Sequence, residues 1–147
     1  MATVRGCNLP EDLHYLIDKH VWAKPMEGGI VRIGMTAIAG KLAGGKLAAV
    51  TVKAKNIGQE VKQGKSVATV ESSKFVGPVP APVTGILERA NEKLAADPNL
   101  AIADPYGEGW IVEMKASNWD AEKGLLVTGT EGVAKYQAKL EADNISC

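Results

Sequence analysis

Apolar residues recur at every second position in several short runs of this chain, and at helical spacing in only a few places. In "KLAAVTVKA", Val50 and Val52 alternate with Thr51 and Lys53, which predicts a strand. "HVWAKP" and "GIVRIGMT" predict two more, joined by a turn at Glu27, Gly28 and Gly29. "GQEVKQGKSVATVES" predicts a connection ending at Gly64, then a strand that alternates up to Val70 and delivers Glu71, Ser72, Ser73 and Lys74 to a turn. "APVTGILERAN" predicts a strand leaving on the other side. Trp110 to Met114 predicts another, with Trp110, Val112 and Met114 on one face. Helical spacing predicts three elements. Pro10, Glu11 and Asp12 open a short helix through Leu13, Leu16 and Ile17. Thr36 caps "AIAGKLAG", which Gly44 and Gly45 stop. Thr128 and Glu131 form a capping box before the apolar stripe Val133, Tyr136 and Leu140. The pattern describes one domain over 1–147, with an N-terminal extension over 1–18 and a C-terminal helix over 128–143.

Composition narrows the picture. A chain of 147 residues suits one domain with a real core. Aromatics are 5%, while 16 Gly and 7 Pro punctuate the sequence, a mix that favours short strands and turns over a helical bundle. Lys plus Arg and Asp plus Glu number 17 each, so no charge surplus points to a nucleic-acid partner or an anionic membrane. The sequence has no long apolar run and no N-terminal secretory pattern, which predicts a cytoplasmic protein. Cys7 and Cys147 are then expected as reduced free thiols, Cys147 on a mobile end. His14 and His20 lie six residues apart and far from the cysteines, not at metal-ligand spacing. The glycines of "GEG" before Trp110 are expected to supply positive φ in a turn, with Trp110 in the core.

The candidate chemistry lies at Lys74. A lysine that is to be acylated must be exposed to the modifying enzyme and lose its proton transiently, and a hairpin tip permits both. Pro78, Pro80 and Pro82 fix φ and remove ladder donors behind it, so the exit strand is stiff and belongs at a sheet edge. By itself a turn lysine is far more often a solvated surface residue than a site. Its surroundings change that balance. "GQEVKQGKSVATVES" before it and "PVTGILERANEKL" after it echo each other, an up-strand and a down-strand that suit a small flattened barrel with the hairpin at one end.

Four blocks in order resemble one known family, the lipoyl-bearing H-protein of the glycine cleavage system. "VESSKF" resembles its Glu-Ser-x-Lys lipoylation hairpin, and "APVTGILERANEKL" its Ala-Pro-x-Ser/Thr-Gly strand and following Asn-Glu turn. Asp104 to Trp110 reads Asp-Pro-Tyr-Gly-x-Gly-Trp, the most specific of the four, and "HVW" at His20 to Trp22 resembles its His-x-Trp. The resemblance implies a mainly β fold, the barrel-sandwich hybrid of two small antiparallel sheets with short flanking helices and a C-terminal helix. It implies that Lys74 carries lipoate in amide linkage and that the protein is a carrier, not an enzyme. Biotin-carrying relatives of this fold flank the lysine with methionines, whereas Ser73 and Phe75 stand here, which favours lipoyl. Glu71, three residues before the lysine as in H-proteins, implies a role in recognition by the attaching enzyme or in placing the arm. The alternative for Glu71 is a solvated strand-end charge. Ser72, Ser73 and Phe75 complete the flank.

The sequence also departs from the family. Phe75 follows the lysine where H-proteins keep a small residue, "VGPVP" is rich in proline, and His20 is followed by Val21 where the family commonly has Glu. "ESSKFVGP" is similar to a second branch, the lipoate-binding proteins of the heterodisulfide-reductase-like system of sulfur-oxidising microbes. That resemblance implies an arm shuttling sulfur species, with lipoate-attaching enzymes, a heterodisulfide-reductase-like complex and sulfur-transfer proteins as partners. The alternative is an H-protein carrying the aminomethyl group between glycine decarboxylase, aminomethyltransferase and dihydrolipoamide dehydrogenase. A third possibility, of another class, is an unmodified protein-interaction module.

Overall fold

A computed structural model gives the fold and describes residues 1–74 and 76–147. Phe75, singled out in the sequence, lies outside the described residues. Strands dominate. In chain order the elements are β1 (Ala2–Val4), β2 (Cys7–Leu9), β3 (His14–Leu16), β4 (Val21–Pro25), β5 (Ile30–Met35) and α1 (Ala37–Leu42). Then come β6 (Ala49–Thr51), β7 (Glu60–Val61), β8 (Ser66–Glu71), β9 (Val76–Pro80) and β10 (Gly85–Ala90). The chain ends with α2 (Lys93–Ala96), α3 (Leu100–Ala103), β11 (Val112–Ala116), α4 (Trp119–Glu122), β12 (Val127–Thr128) and α5 (Gly129–Ala142).

Two antiparallel sheets enclose the main core. One has seven strands in the order β12-β3-β4-β5-β11-β10-β7, and the other three, β6-β8-β9. Val31, Ile33 and Met114 of the larger sheet share a cluster with Val67, Val70 and Val79 of the smaller one. A second core forms under α5, where Val133, Tyr136 and Leu140 bury the predicted stripe against Leu9, Tyr15, Trp22 and Trp110. The fold is the mainly β barrel-sandwich that the resemblance implies. The larger sheet, however, is not small, because β3 and β12 extend it beneath the C-terminal helix.

That extension overturns one reading. The Leu13, Leu16 and Ile17 spacing predicts a helix, but β3 runs there, paired with β4 and β12. The strand places Tyr15 in the second core, where its hydroxyl donates to the Pro10 carbonyl at 2.5 Å. A spacing of three and one is too short to outweigh ladder partners supplied from distant parts of the chain. Both predicted cap side chains are also used elsewhere. The Thr128 hydroxyl donates to the Leu13 carbonyl at 2.7 Å, with no capping bond to α5. Thr36 precedes α1 without capping it and shares a 2.9 Å hydrogen bond with the Tyr136 hydroxyl.

The cysteines correct a second expectation. They are not free thiols. Cys7 and Cys147 form a disulfide across 140 residues. β1 and β2 meet in a tight turn at Arg5 and Gly6, both at positive φ, as a two-residue hairpin with matched twist requires. After α5 the chain reverses at Asn144 (φ 54) and runs along that turn. There the Cys147 N–H donates to the Arg5 carbonyl at 2.9 Å, and the Arg5 Nε donates to the Ile145 carbonyl at 2.6 Å. The last residue is therefore anchored, not mobile.

Candidate functional site

The hairpin forms as its sequence dictates. Along β8, Val67 and Val70 face the core and Glu71 faces solvent. β9 pairs with β8 on one side and is an edge strand, where Pro78 and Pro80 need no outward donor. After β8 the Ser72 hydroxyl accepts the Lys74 N–H at 3.2 Å, a side-chain-stabilised turn. Ser72 is buried, whereas Ser73 and Lys74 are exposed. Glu71 is exposed at the strand end, where its carbonyl accepts the Ala48 N–H at 2.7 Å.

Helix α1 positions the surroundings of Lys74, and the Asp104–Trp110 block positions α1. The Tyr106 hydroxyl accepts the Ala37 N–H at the start of α1 at 2.9 Å and donates to the Asn8 carbonyl at 2.6 Å. Burial pushes the Tyr106 phenol up to about 12, so it stays a neutral donor. The Trp22 indole N–H donates to the Pro105 carbonyl at 2.9 Å, and the Asn91 amide donates to the Glu108 and Trp110 carbonyls. The glycines here serve another purpose than expected. Gly107 and Gly109 are not at positive φ. They are small because a Cβ on Gly107 would fall 2.6 Å from the Asp104 carboxylate and one on Gly109 would collide with the Leu100 carbonyl. Close approach, not left-handed backbone, selects them.

Trp110 is buried as expected. The guanidinium groups of Arg32 and Arg89 lie 4.8 and 5.1 Å from its ring centroid, and both ion-pair with the buried Glu113. Burial pushes the Glu113 carboxyl up, but the two arginines outweigh it and hold it below the ordinary carboxylate value. Trp110→Ala is expected to lose about 3–5 kcal/mol of stability. A thermal melt checks this, with an unchanged melt and lost partner binding as the contrary outcome.

An apolar cleft of about 110 Å³ lies beside the hairpin, lined by Lys19, His20, Val21, Met35, Leu42 and Pro78 among others. His20, at φ 58, hydrogen-bonds through Nδ1 to the Tyr136 hydroxyl at 2.7 Å. Burial lowers the His20 pKa. Lys139 lowers it further, against opposing contributions from Asp143 and Asp18. Burial and then Lys123 lower that of His14, whose ring meets Trp119 edge-on. Both imidazoles bind protons less readily folded than unfolded. Between their lowered values and the ordinary 6.5, the unfolded chain therefore holds more protons, and stability falls as pH drops through that window. The melting temperature is expected to fall from pH 7.5 to pH 5.5, and the double variant His14→Gln/His20→Gln to flatten that slope.

The structure thus brings Glu71, Ser72, Ser73 and Lys74 to one tip. Gly44 joins them from a distant part of the chain, beneath the stem of Lys74, and the sequence pattern did not connect it to Lys74. An acyl amide fits the position of Lys74, because the side chain is exposed and the group can extend from the tip.

Comparison with known proteins agrees with this geometry. The family model described as "Glycine cleavage H-protein" matches residues 13–139. Glycine cleavage system H protein 5 of Aquifex aeolicus is 43% identical over 151 residues, covering 100% of this chain and 99% of the relative. H protein 2 of the same organism is 43% identical over 143 residues, covering 97% and 87%. The probable glycine cleavage system H protein 2 of Sulfurisphaera tokodaii is 40% identical over 149 residues, covering 100% and 98%. The crystal structure of a glycine cleavage system H protein from Mycobacterium marinum superposes with a TM-score of 0.73 at 30% identity, over 86% of this chain and 98% of that one. The chain therefore belongs to the glycine cleavage H-protein family, whose members carry lipoate covalently attached to a lysine.

Proposed function

We propose that this protein is a carrier, not a catalyst, and that Lys74 is its lipoyl attachment site. The observation that carries this reading is the exposed lysine at the tip of a braced edge hairpin, in the chain's counterpart of the family's Glu-Ser-x-Lys block. The attached dithiol supplies thiol–disulfide exchange and group transfer. The protein supplies tethering, which raises the effective concentration of the carried group at each docked enzyme. In the glycine reading, which the names of the relatives support, the partners are lipoate-attaching enzymes, glycine decarboxylase, aminomethyltransferase and dihydrolipoamide dehydrogenase in the cytoplasm. Glu71 and Ser73 flank the lysine as contacts for the attaching enzyme.

One observation favours the sulfur reading. The residues lining the cleft include Lys19 and His20 but no carboxylate, and Val21 occupies its wall. The lining itself offers a cationic aminomethyl group no carboxylate, the nearest being Asp18 and Asp143 in electrostatic reach of His20, whereas a neutral or anionic sulfur cargo does not need one. On that reading the partners are a heterodisulfide-reductase-like complex and sulfur-transfer proteins.

Two measurements test these readings. Intact mass after incubation with lipoate, ATP and a lipoate-attaching enzyme should show one lipoyl adduct, and an unmodified mass would leave a plain interaction module. Glycine-dependent loading by the glycine-system enzymes, beside an ordinary H-protein, then separates the cargoes. Loading at a comparable rate removes the sulfur reading. Absent loading, together with uptake of sulfur from a sulfur-transfer protein, removes the glycine one.

A further inference from the structure

The loop that ends α1 lies under the side chain of Lys74. A Cβ built on Gly44 would sit 3.1 Å from Cε, 3.3 Å from Cδ and 3.6 Å from Nζ of that lysine. The stem of Lys74 therefore rests on bare backbone. Gly45 shares the left-handed conformation, with φ of +81° against +86°, yet a Cβ there meets nothing within 4 Å. The end of the helix explains glycine at both positions. Room for a lysine is explained at Gly44 alone.

The loop is held in place from several sides. The Gly44 N–H donates to the Lys41 carbonyl at 3.0 Å and the Gly45 N–H to the Gly40 carbonyl at 2.9 Å. The Leu47 N–H donates to Asn99 Oδ1 at 2.7 Å, and the Ala48 N–H to the Glu71 carbonyl at 2.7 Å. The last of these ties the loop directly to the strand that delivers Lys74.

We propose that Gly44 is a positioning residue for the acylated lysine: it seats the aliphatic stem of Lys74 on the loop after α1 and sets the direction in which the amine is presented. The proposal rests on Lys74 as the attachment site. A lysine stem has many rotamers, and a seat that removes some of them before docking lowers the ordering cost of each encounter. A methyl group at position 44 lies closer to Cε and Cδ than ordinary van der Waals contact, so the stem must shift outward by a few tenths of an ångström and loses its seat against the backbone.

Gly44→Ala and Gly45→Ala form the test pair, because both put a Cβ at a left-handed φ and only the first touches Lys74. Their melting temperatures are expected to fall alike. Trace acetylation with acetic anhydride and peptide mass mapping reads Lys74 against Lys53 in the same molecule. The ratio should rise roughly twofold in Gly44→Ala and stay at the wild-type value in Gly45→Ala, as the stem moves into solvent. The initial rate of enzymatic lipoylation should fall roughly fivefold in Gly44→Ala relative to Gly45→Ala. Equal ratios and equal rates in the two variants overturn the seat while leaving Lys74 as the lipoyl site. A shifted acetylation ratio in a protein whose wild type takes no lipoate supports the seat and removes the lipoyl reading. If the alanine pair melts too low, Gly44→Asn with Gly45→Asn carries the same comparison, since asparagine tolerates left-handed backbone.

Discussion

Lys74→Arg is expected to abolish lipoylation and leave the melting temperature within about 2 °C of wild type. The substitution keeps the positive charge and a long stem at an exposed turn position, so the fold loses little. It removes the reactive amine, because a guanidinium does not lose its proton near neutral pH and cannot form the amide. Incubation with lipoate and the attaching enzyme, followed by peptide mass mapping, reads the result. Complete loss of the adduct places it on Lys74. An adduct persisting on Lys65 or Lys93 would reassign the site, and with it the role of the hairpin. Glu71→Ala gives a graded companion. A slower but complete modification of Lys74 makes Glu71 a recognition contact, and an unaltered rate makes it a solvated strand-end charge.

The second large effect is on stability. Joining Cys7 to Cys147 closes a loop spanning 140 residues, which in the chain-entropy account stabilises the folded state by about 5 kcal/mol, at the upper end of measured disulfides. Cys7→Ser is expected to lose about 2–5 kcal/mol and to lower the melting temperature by about 5–15 °C. The hydrogen bonds between Arg5 and the tail remain, so the tail should loosen but the sheets should stay folded. A thiol reductant should bring the wild type down to the melting temperature of Cys7→Ser and leave the variant unmoved. A wild type indifferent to reductant would restore the free thiols that the sequence predicts. The residue beneath this bridge is sensitive too. A Cβ on Gly6 would lie 2.7 Å from the Cys147 carbonyl, so a larger side chain there pushes the tail away.

What the sequence determined about this protein is what neighbouring residues decide among themselves. The lysine hairpin was legible because alternation over Ser66–Glu71, a hydroxyl-rich turn and prolines spaced for an edge strand are all local. So were the glycine stop after α1 and the stripe Val133, Tyr136 and Leu140 on α5. The four motif blocks carried the family, since their order along the chain is itself a sequence property.

Tertiary structure decided the rest, in each case by bringing together residues far apart in the chain. His14 to Leu16 took up strand structure because β4 and β12 offered a ladder, a stronger bias than one short apolar spacing. Thr36 and Thr128 gave their hydroxyls to Tyr136 and Leu13 instead of to helix ends, the first as a buried group that must find a partner and the second because β12 lies against β3. Gly107 and Gly109 proved necessary for close approach to Asp104 and Leu100, which no local propensity encodes. Cys7 met Cys147 because α5 returns the chain to the first hairpin. The lysine that the sequence singled out came to rest on Gly44 for the same reason: a sheet fold sets side-chain neighbours by strand order, and strand order is fixed only when the whole core closes.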